Sequence, residues 1–246
     1  MRSRSQPIIY SEPPPTIARL WLRITWLILL FSLLFWSWLK LTAPGTLPIR
    51  TVKITGIYQH IDRKALQKAV LPLVRQGFFG TDVSTLQERI SQLAWVNQVD
   101  IKRLWPDSLV IHVSEQKAIA KWNENDLLNP QGDVFAPGKW DISADLPHLW
   151  GPVQQQGLAL HTYLQLRNVL SPLGIGIREL ELTPRQAWRL VLNNGMTVFL
   201  GREQVQERLL RFVKVYPHVV GNRVADIAYI DLRYPHGVAV NWKTGQ

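Results

Sequence analysis

The feature that most constrains this chain is an uncharged, apolar stretch near its N-terminus. Residues 24–39, between Arg23 and Lys40, carry no charge. A bilayer-spanning helix needs about 20 apolar residues, and here the flanking cations can extend their charged ends to the headgroups while neighbouring leucines lengthen the stretch. Tryptophans, which favour membrane interfaces, lie near both ends: Trp21, Trp36 and Trp38. We therefore predict a single transmembrane helix over residues 24–41.

Two other interpretations of this stretch are weaker. A cleaved signal peptide requires small residues at its cleavage site, whereas the nearest candidate, Leu41-Thr42-Ala43, has a leucine at one such position and is followed by Pro44. A core helix usually has a polar face, whereas this stretch is apolar on every face, and residues 20–41 carry four tryptophans. We expect a retained anchor.

The charges around the helix predict its orientation. The N-terminal tail, residues 1–23, has four arginines and one glutamate, a net charge of +3. The positive-inside rule places this tail in the cytoplasm and the rest of the chain outside it. Three consecutive prolines, residues 13–15, predict an extended tail.

The overall charge is +10, with a pI near 10.1. Such a charge suits an anionic partner, although a basic surface without one is equally compatible. The basic residues are scattered rather than clustered, so we predict no nucleic-acid partner. The chain has no cysteine, which excludes disulfides, thiolate metal sites and cysteine nucleophiles.

No pattern for catalysis or cofactor binding is present. The six histidines lack metal-ligand spacing, and no phosphate-binding loop or nucleophile elbow occurs. Asp226 and Asp231, an imaginable acid/base pair, are five residues apart along a predicted strand and would point to opposite faces. We predict no enzyme activity, cofactor, metal or small-molecule substrate.

After a linker at residues 42–48, residues 49–117 predict a small β-α-α-β-β unit. A hairpin across Trp105-Pro106-Asp107 joins its last two strands.

Both helices of this unit have N-terminal signals. Asp62 is placed to cap the first helix, with Ile61 and Leu66 as a hydrophobic staple. Ser84 and Gln87 have the spacing of a capping box for the second.

Residues 118–246 predict a second domain, of α+β class, with a mixed β-sheet and two packed helices. One helix is expected over residues 155–170, and an amphipathic one over residues 202–216 with Arg208 on its solvent face. The dipeptide Asn194-Gly195 predicts a hairpin within residues 188–201.

The last two strands form the predicted docking surface. Pro235 and Gly237 predict a tight turn between a strand that begins at Tyr229 and one that ends at Trp242. The last strand then lies at a sheet edge, where unpaired N–H and C=O groups can accept a partner strand. For Tyr234 and Trp242, burial in the core and exposure to a partner are equally compatible with the pattern.

The run from Trp95 to Trp122 resembles the hairpin that closes the POTRA domain in the FtsQ (DivIB) family of bacterial cell-division proteins. The matching residues are Arg103, Trp105, Pro106, Asp107, Leu109, Glu115, Ala120 and Trp122. The similarity continues through AWRLVLNNG, RLLRFVKVYP and DLRYPHGVAVNW, so it covers nearly all of the exported part.

The resemblance implies a non-enzymatic scaffold of the divisome that links early and late division proteins and controls septal peptidoglycan synthesis. It implies a single-pass inner-membrane protein, with its N-terminus cytoplasmic and both later domains periplasmic, concentrated at the septum. The implied partners are FtsB with FtsL, docked by strand addition, and other divisome proteins. The implied partner-binding residues are Arg185, Arg233, Tyr234, Gly237, Val238, Val240 and Trp242; His236 stands where the family often has serine.

Two other functions fit parts of the pattern. POTRA domains also occur in protein-assembly and export factors, but those precede a long series of amphipathic strands, and this chain has two predicted helices there. A periplasmic domain that binds an anionic glycan or lipid would lose binding when its basic face is neutralised, and would keep it without the last strand.

Overall fold

The computed structural model describes residues 15–42, 47–138, 140, 142–235 and 237–243. Its first helix, α1, covers Pro15–Thr42. Within α1, Leu20–Lys40 has 21 residues and a mean hydropathy of 1.8, and none of it is buried. At 1.5 Å per residue this stretch spans about 30 Å, the thickness of a bilayer's hydrocarbon core. The predicted apolar helix is confirmed, and its exposure argues against a core helix.

The helix begins earlier than predicted. It starts at Pro15 rather than at residue 24, so part of the predicted tail is helical; a proline is well tolerated in the first turn because its missing N–H would have no partner there. Residues 1–14, which include the first two prolines of the predicted extended tail, lie outside the described residues.

The next unit has the predicted β-α-α-β-β order. Its elements are β1 Thr51–Thr55, α2 Arg63–Val74, α3 Val83–Ser91, β2 Val96–Leu104 and β3 Ser108–Glu115. The sheet order is β1-β3-β2, with β1 parallel and β2 antiparallel to β3. Leu109, Ile111 and Val113 alternate along β3 and are fully buried against the helices. The predicted hairpin is confirmed, because Leu104 pairs with Ser108 across its turn.

The helix caps agree with the prediction in one case and differ in the other. Asp62 caps α2, since its carboxylate accepts from the N–H of Lys64 at 2.9 Å. The capping box for the second helix is wrong: Asp82 caps α3 and accepts from Ser84 N–H at 3.0 Å. Gln87 instead donates to the carbonyl of Val99 in β2. The carboxylate two residues earlier is the stronger acceptor, because its charge is stabilised at a helix N-terminus.

The predicted mixed sheet with two helices is confirmed for the second domain, and within the described residues the sheet has nine strands. Its strands are β4 Ala120–Trp122, β5 Asp126–Leu128, β6 Val134–Phe135, β7 His148–Trp150, β8 Ile177–Leu182, β9 Trp188–Leu192, β10 Thr197–Gly201, β11 Ile227–Asp231 and β12 Ala239–Trp242. Its helices are α4 Gln156–Leu170 and α5 Val205–Val219, with short 3-10 turns at Ser171–Leu173 and Gly221–Asp226. The strand order is β12-β11-β10-β9-β8-β7-β4-β5-β6.

One face of this sheet packs against both helices. Leu190, Val198 and Ile230 alternate toward that face and are fully buried with Leu209 and Phe212 of α5. The hairpin at Asn194-Gly195 is confirmed by the antiparallel pairing of β9 and β10. The sheet's other face is open beside β9–β12, where it carries the polar and aromatic residues that matter below, and we call this part the open face.

The solvent-facing position predicted for Arg208 is wrong. Arg208 is half-buried, and its Nη1 donates to the carbonyl of Leu200 at 2.6 Å. The helical period alone places this side chain outward, but the end of β10 lies close enough for the long arginine to reach it.

The two folded units share apolar packing. Leu127 and Phe135 of the second domain are buried in the core of the first, and the indole N–H of Trp95 donates to the carbonyl of Pro137 at 2.9 Å. Cross-unit contacts of this kind are not visible in a periodic pattern.

Candidate functional site

Strand β12 lies at the outer end of the nine-stranded sheet. It pairs antiparallel with β11, with Ile230 opposite Val240 and Asp231 opposite Ala239, and its other side has no neighbouring strand within the described residues. The N–H of Lys243 donates to the carbonyl of Asp226 at 2.8 Å. Since N–H groups alternate in direction along a strand, those of Val240 and Trp242 point to the free side.

The side chains of β12 divide between the two faces. Val238 and Val240 are half-buried against the core, so they contribute to packing, while Ala239 and Asn241 are exposed on the open face. Trp242 is 39% exposed.

Trp242 ends the strand outside the set of buried core residues. The guanidinium of Arg223 lies 4.3 Å from the centroid of its ring. Of the two arrangements compatible with the sequence for Trp242, the structure shows the exposed one.

The predicted tight turn is wrong. Residues 232–238 form a longer connection between β11 and β12, which holds Tyr234 at the surface with 57% of its area exposed. Arg211 of α5 fastens this connection, because its Nη1 donates to the carbonyls of Tyr234 at 3.1 Å and Gly237 at 3.4 Å. His236, next to Gly237, lies outside the described residues.

Arg233 is already paired within the chain. Its Nε and Nη2 donate to the two carboxylate oxygens of Asp231, at 2.9 Å and 2.6 Å, and its backbone N–H donates to the same carboxylate at 2.9 Å. These hydrogen bonds from Arg233 lower the pKa of Asp231 below its ordinary value and raise that of Arg233. Asp231 is buried, with 6% exposed, whereas 61% of the Arg233 side chain is exposed. The pair therefore fixes Arg233 above the open face, 5.6 Å from the ring of Phe199.

A cleft of about 540 Å³ beside this pair brings two predicted residues together. Arg185, in the turn between β8 and β9, and Arg233 both line it, and Trp188 and Phe199 contribute apolar walls. The complete set of arginines in the cleft is Arg185, Arg189, Arg202, Arg208 and Arg233.

The cleft is cationic on balance. Arg189 is paired with Glu181 at 2.5 Å, and Arg233 with Asp231. Arg185 and Arg202 are exposed and have no ion pair with any described residue. Two exposed guanidinium groups near apolar walls are suited to bind carboxylates, because a guanidinium donates two parallel hydrogen bonds to a carboxylate.

A glycine is required where the cleft meets α5. Gly201 has φ of +80°, and a Cβ there would lie 2.6 Å from Nη1 of Arg208 and 3.2 Å from Cγ of Arg233. The absence of a side chain allows both arginines to approach the end of β10.

The sequence did not reveal three residues of this surface: Arg202, Arg211 and Arg223. In its local pattern each is an ordinary basic residue, and its role depends on where the sheet edge lies. The run RLLR, residues 208–211, indicates only part of an amphipathic helix.

The fold agrees with comparisons to known proteins. Residues 47–116 match the family model of the FtsQ-type POTRA domain, and residues 118–233 match that of the FtsQ/DivIB C-terminal region. The chain belongs to the FtsQ family of cell-division proteins. The chain is 38% identical to Cell division protein FtsQ of Coxiella burnetii over 200 residues, which cover 81% of this chain and 82% of that protein. It is 37% identical to FtsQ of Shewanella oneidensis over 202 residues, 82% of this chain and 77% of that protein.

Family membership and the apolar helix fit a single-pass inner-membrane protein with a role in the divisome. The match to the C-terminal region ends at Arg233, within the connection between β11 and β12. Within the described residues, no group of three or more histidine or acidic side chains is arranged to hold a metal.

Proposed function

We propose that this FtsQ-family chain is a non-enzymatic divisome scaffold that captures FtsB, paired with FtsL, by strand addition to β12. The observation that carries the proposal is a free strand edge beside a cationic cleft. The free N–H groups of Val240 and Trp242 would donate to the partner strand, and such main-chain pairing supplies affinity whatever the side chains.

The side chains around the edge supply selectivity in this proposal. A strand added to β12 would continue the sheet, so its alternate side chains would face the helices or the open face. Those on the helix side would cover Val238 and Val240. We infer that the partner continues from the added strand past Arg233 toward the arginine cleft, and that this continuing segment carries carboxylates, which Arg185 and Arg202 bind.

Tyr234 and Trp242 would flank the added strand at its two ends. Both are exposed aromatic residues, and aromatic side chains of this kind dominate the binding energy of many interfaces. Arg233 is held by Asp231 and would present its remaining N–H donors from a fixed position. Gly237, beside the start of β12, leaves room for the partner backbone, since nothing lies within 4 Å of where its Cβ would be.

The membrane arrangement is part of the proposal. The basic N-terminal tail favours the cytoplasm, which would place both folded units in the periplasm. There the chain could hold its partners at the septum, link early and late division proteins, and so control septal peptidoglycan synthesis.

Hydrogen exchange with residue resolution tests strand addition on the full chain, with and without the FtsB–FtsL complex. We expect exchange at the N–H groups of Val240 and Trp242 to slow strongly on binding. The N–H of Asn241, which points toward β11, is the internal control and should change little. Capture of the partner without any slowing at Val240 and Trp242 would refute strand addition.

A charge-reversal series tests the cleft separately. Arg185→Glu and Arg202→Glu should each weaken binding by about tenfold, in line with the cost of about 1.5–3 kcal/mol for losing a hydrogen bond to a charged group. Arg178→Glu, an exposed arginine outside the cleft, is the matched control and should bind as the wild type does. Equal affinities for all three variants would remove the cleft from the interface and leave the strand edge as the only contact.

A further inference from the structure

Three segments of the POTRA unit meet at one end of its sheet. The N–H of Phe78, after α2, donates to the carbonyl of Leu47 at 2.8 Å. Arg103, at the end of β2, donates to the carbonyl of Thr81 at 2.5 Å. The N–H of Arg50 donates to the carbonyl of Asp107 in the β2–β3 turn at 2.9 Å. We call the resulting surface, residues 47–50, 75–81 and 103–107, the POTRA base.

The chain path holds the POTRA base close to the membrane. Helix α1 ends at Thr42, and Leu47 is already hydrogen-bonded to Phe78. Five residue steps separate these two positions, and a fully extended chain covers at most about 18 Å in that number of steps. The base is therefore tied within a short distance of the end of the membrane-spanning helix.

Large apolar side chains are exposed on this base. Trp105 is 75% exposed, Leu104 59% and Phe79 46%. Phe79 stands on a well-ordered turn, because the neighbouring Thr81 is 1% exposed and its hydroxyl donates to the carbonyl of Gly77 at 2.7 Å. Three such residues at one end of a domain need a covering surface, since exposed apolar clusters mark interaction sites.

The same base carries positive charge. Arg75 and Arg103 are exposed, and the side chain of Arg75 has no hydrogen bond or ion pair with a described residue. Asp107, the carboxylate of this base, lies 4.0 Å from Arg50. Exposed tryptophan and phenylalanine next to arginine are the residues that the headgroup region of a bilayer favours.

We propose that the POTRA base rests in the headgroup region of the bilayer beside its own anchor. Trp105, Leu104 and Phe79 insert at the level of the lipid glycerol groups, and Arg75 and Arg103 lie against lipid phosphates. This contact fixes the tilt of the POTRA unit on the membrane, and with it the direction in which the rest of the exported part extends. The proposal is independent of the partner assigned to β12.

Collisional quenching in nanodiscs tests this contact on the full chain. The chain has no cysteine, so a single fluorophore can be attached at Gln76→Cys, an exposed position in the base, or at Gln98→Cys, an exposed position in β2. Gln98 is six residues from Leu104, about 20 Å along the strand. The discs contain phosphatidylglycerol and a lipid with a headgroup nitroxide as the quencher.

We expect the label at position 76 to be quenched about twofold more strongly than the label at 98, because the aromatic residues hold the base at the interface. Replacing both Trp105 and Phe79 with serine should reduce the quenching at 76 to the level at 98. These two side chains are exposed, so the replacements leave the core intact, which an unchanged thermal unfolding curve would verify.

Two results would overturn the proposal. Equal quenching at 76 and 98 in the parent chain would show that the base does not contact the bilayer. Strong quenching at 76 that survives the double replacement would show that the short tether alone brings the base near the lipid.

Discussion

The Asp231–Arg233 pair connects the stability of the second domain to its docking surface, and Asp231→Asn is the change that tests it. Asparagine keeps one oxygen, which can still accept from the N–H of Arg233. It replaces the other oxygen with an amide donor that faces Nη2, now 2.6 Å from that oxygen. The variant therefore loses the negative charge and places a donor against a donor.

The loss of stability expected for Asp231→Asn follows from the exposure of the Asp231 and Arg233 side chains. A hydrogen bond to a charged group contributes about 1.5–3 kcal/mol, and screening at an exposed partner lowers this contribution. Asp231 is 9% exposed in its side chain, while Arg233 is 61% exposed, so we expect the lower end, about 1.5 kcal/mol. For a folded part of this size, that loss corresponds to a fall in Tm of about 3–6 °C.

The pH dependence gives a second, independent readout. Arg233 lowers the pKa of Asp231 in the folded state. The stabilisation is therefore fully present when the pH is above the pKa of an aspartate in the unfolded chain, about 4. It is lost as the pH falls through the lower pKa that Asp231 has in the folded chain. The difference in Tm between wild type and Asp231→Asn should therefore be constant near neutral pH and shrink below about pH 4.

Thermal unfolding of the full chain, followed by intrinsic tryptophan fluorescence, measures both effects. Asp226→Asn is the matched control, because Asp226 forms an ion pair with Arg223 at 3.6 Å with both side chains more than 60% exposed. Such pairs contribute little, so the control should unfold as the wild type does. An Asp231→Asn variant with an unchanged Tm, or with a loss that persists undiminished in acid, would refute the reasoning.

Three further predictions concern other parts of the fold. Gly201→Ala should destabilise the chain by about 1–3 kcal/mol in a denaturant titration, because its backbone is left-handed and the added Cβ meets Arg208; a stability equal to wild type would contradict the close approach. Asp82→Ala should lower the Tm near neutral pH, and the difference should vanish as the pH falls through the folded pKa of about 2, a result that a pH-independent difference would exclude. Phe212→Ala, at a fully buried position, should lower the free energy of unfolding by about 3–5 kcal/mol. Leu210→Ala, at a position that is 43% exposed, should lower it by about 0.5 kcal/mol or less. Similar losses for the two variants in urea unfolding would contradict the assigned core.

Local signals determined most of the first folded unit. A carboxylate just before an apolar run indicates the start of a helix whatever surrounds it, so the sequence identifies Asp62 as a cap. The Trp105-Pro106-Asp107 turn likewise indicates the hairpin between β2 and β3. The error at Ser84 arose because two nearby residues could serve as the cap, and the choice depends on which side chain another strand attracts. Gln87 is drawn to Val99 of β2, a contact that local spacing does not encode.

In the closing hairpin, too, some features follow from the local sequence and others depend on a distant contact. Ile230, Val238 and Val240 all pack toward the core, and they follow the period of two that is a property of the strand itself. The connection between the strands depended instead on Arg211, which comes from a helix twenty residues earlier and binds two of the loop carbonyls. That contact makes a long connection stable where turn residues predicted a short one.

By itself, the sequence determined the apolar membrane helix, the order of the strands and helices in the POTRA unit, and the two helices and the two hairpins of the second unit, because these depend on hydrophobic period and on residues close in the chain. Only the tertiary structure decided that Arg233 is held by Asp231, that Arg185 and Arg202 share a cleft with it, and that Trp242 lies outside the core. It alone also gathered Phe79, Leu104 and Trp105 at the end of the POTRA unit next to the anchor. Apart from the Asp231–Arg233 pair, whose residues are two apart, each of these depends on segments distant in sequence, whose approach is set by sheet order and packing rather than by any local preference.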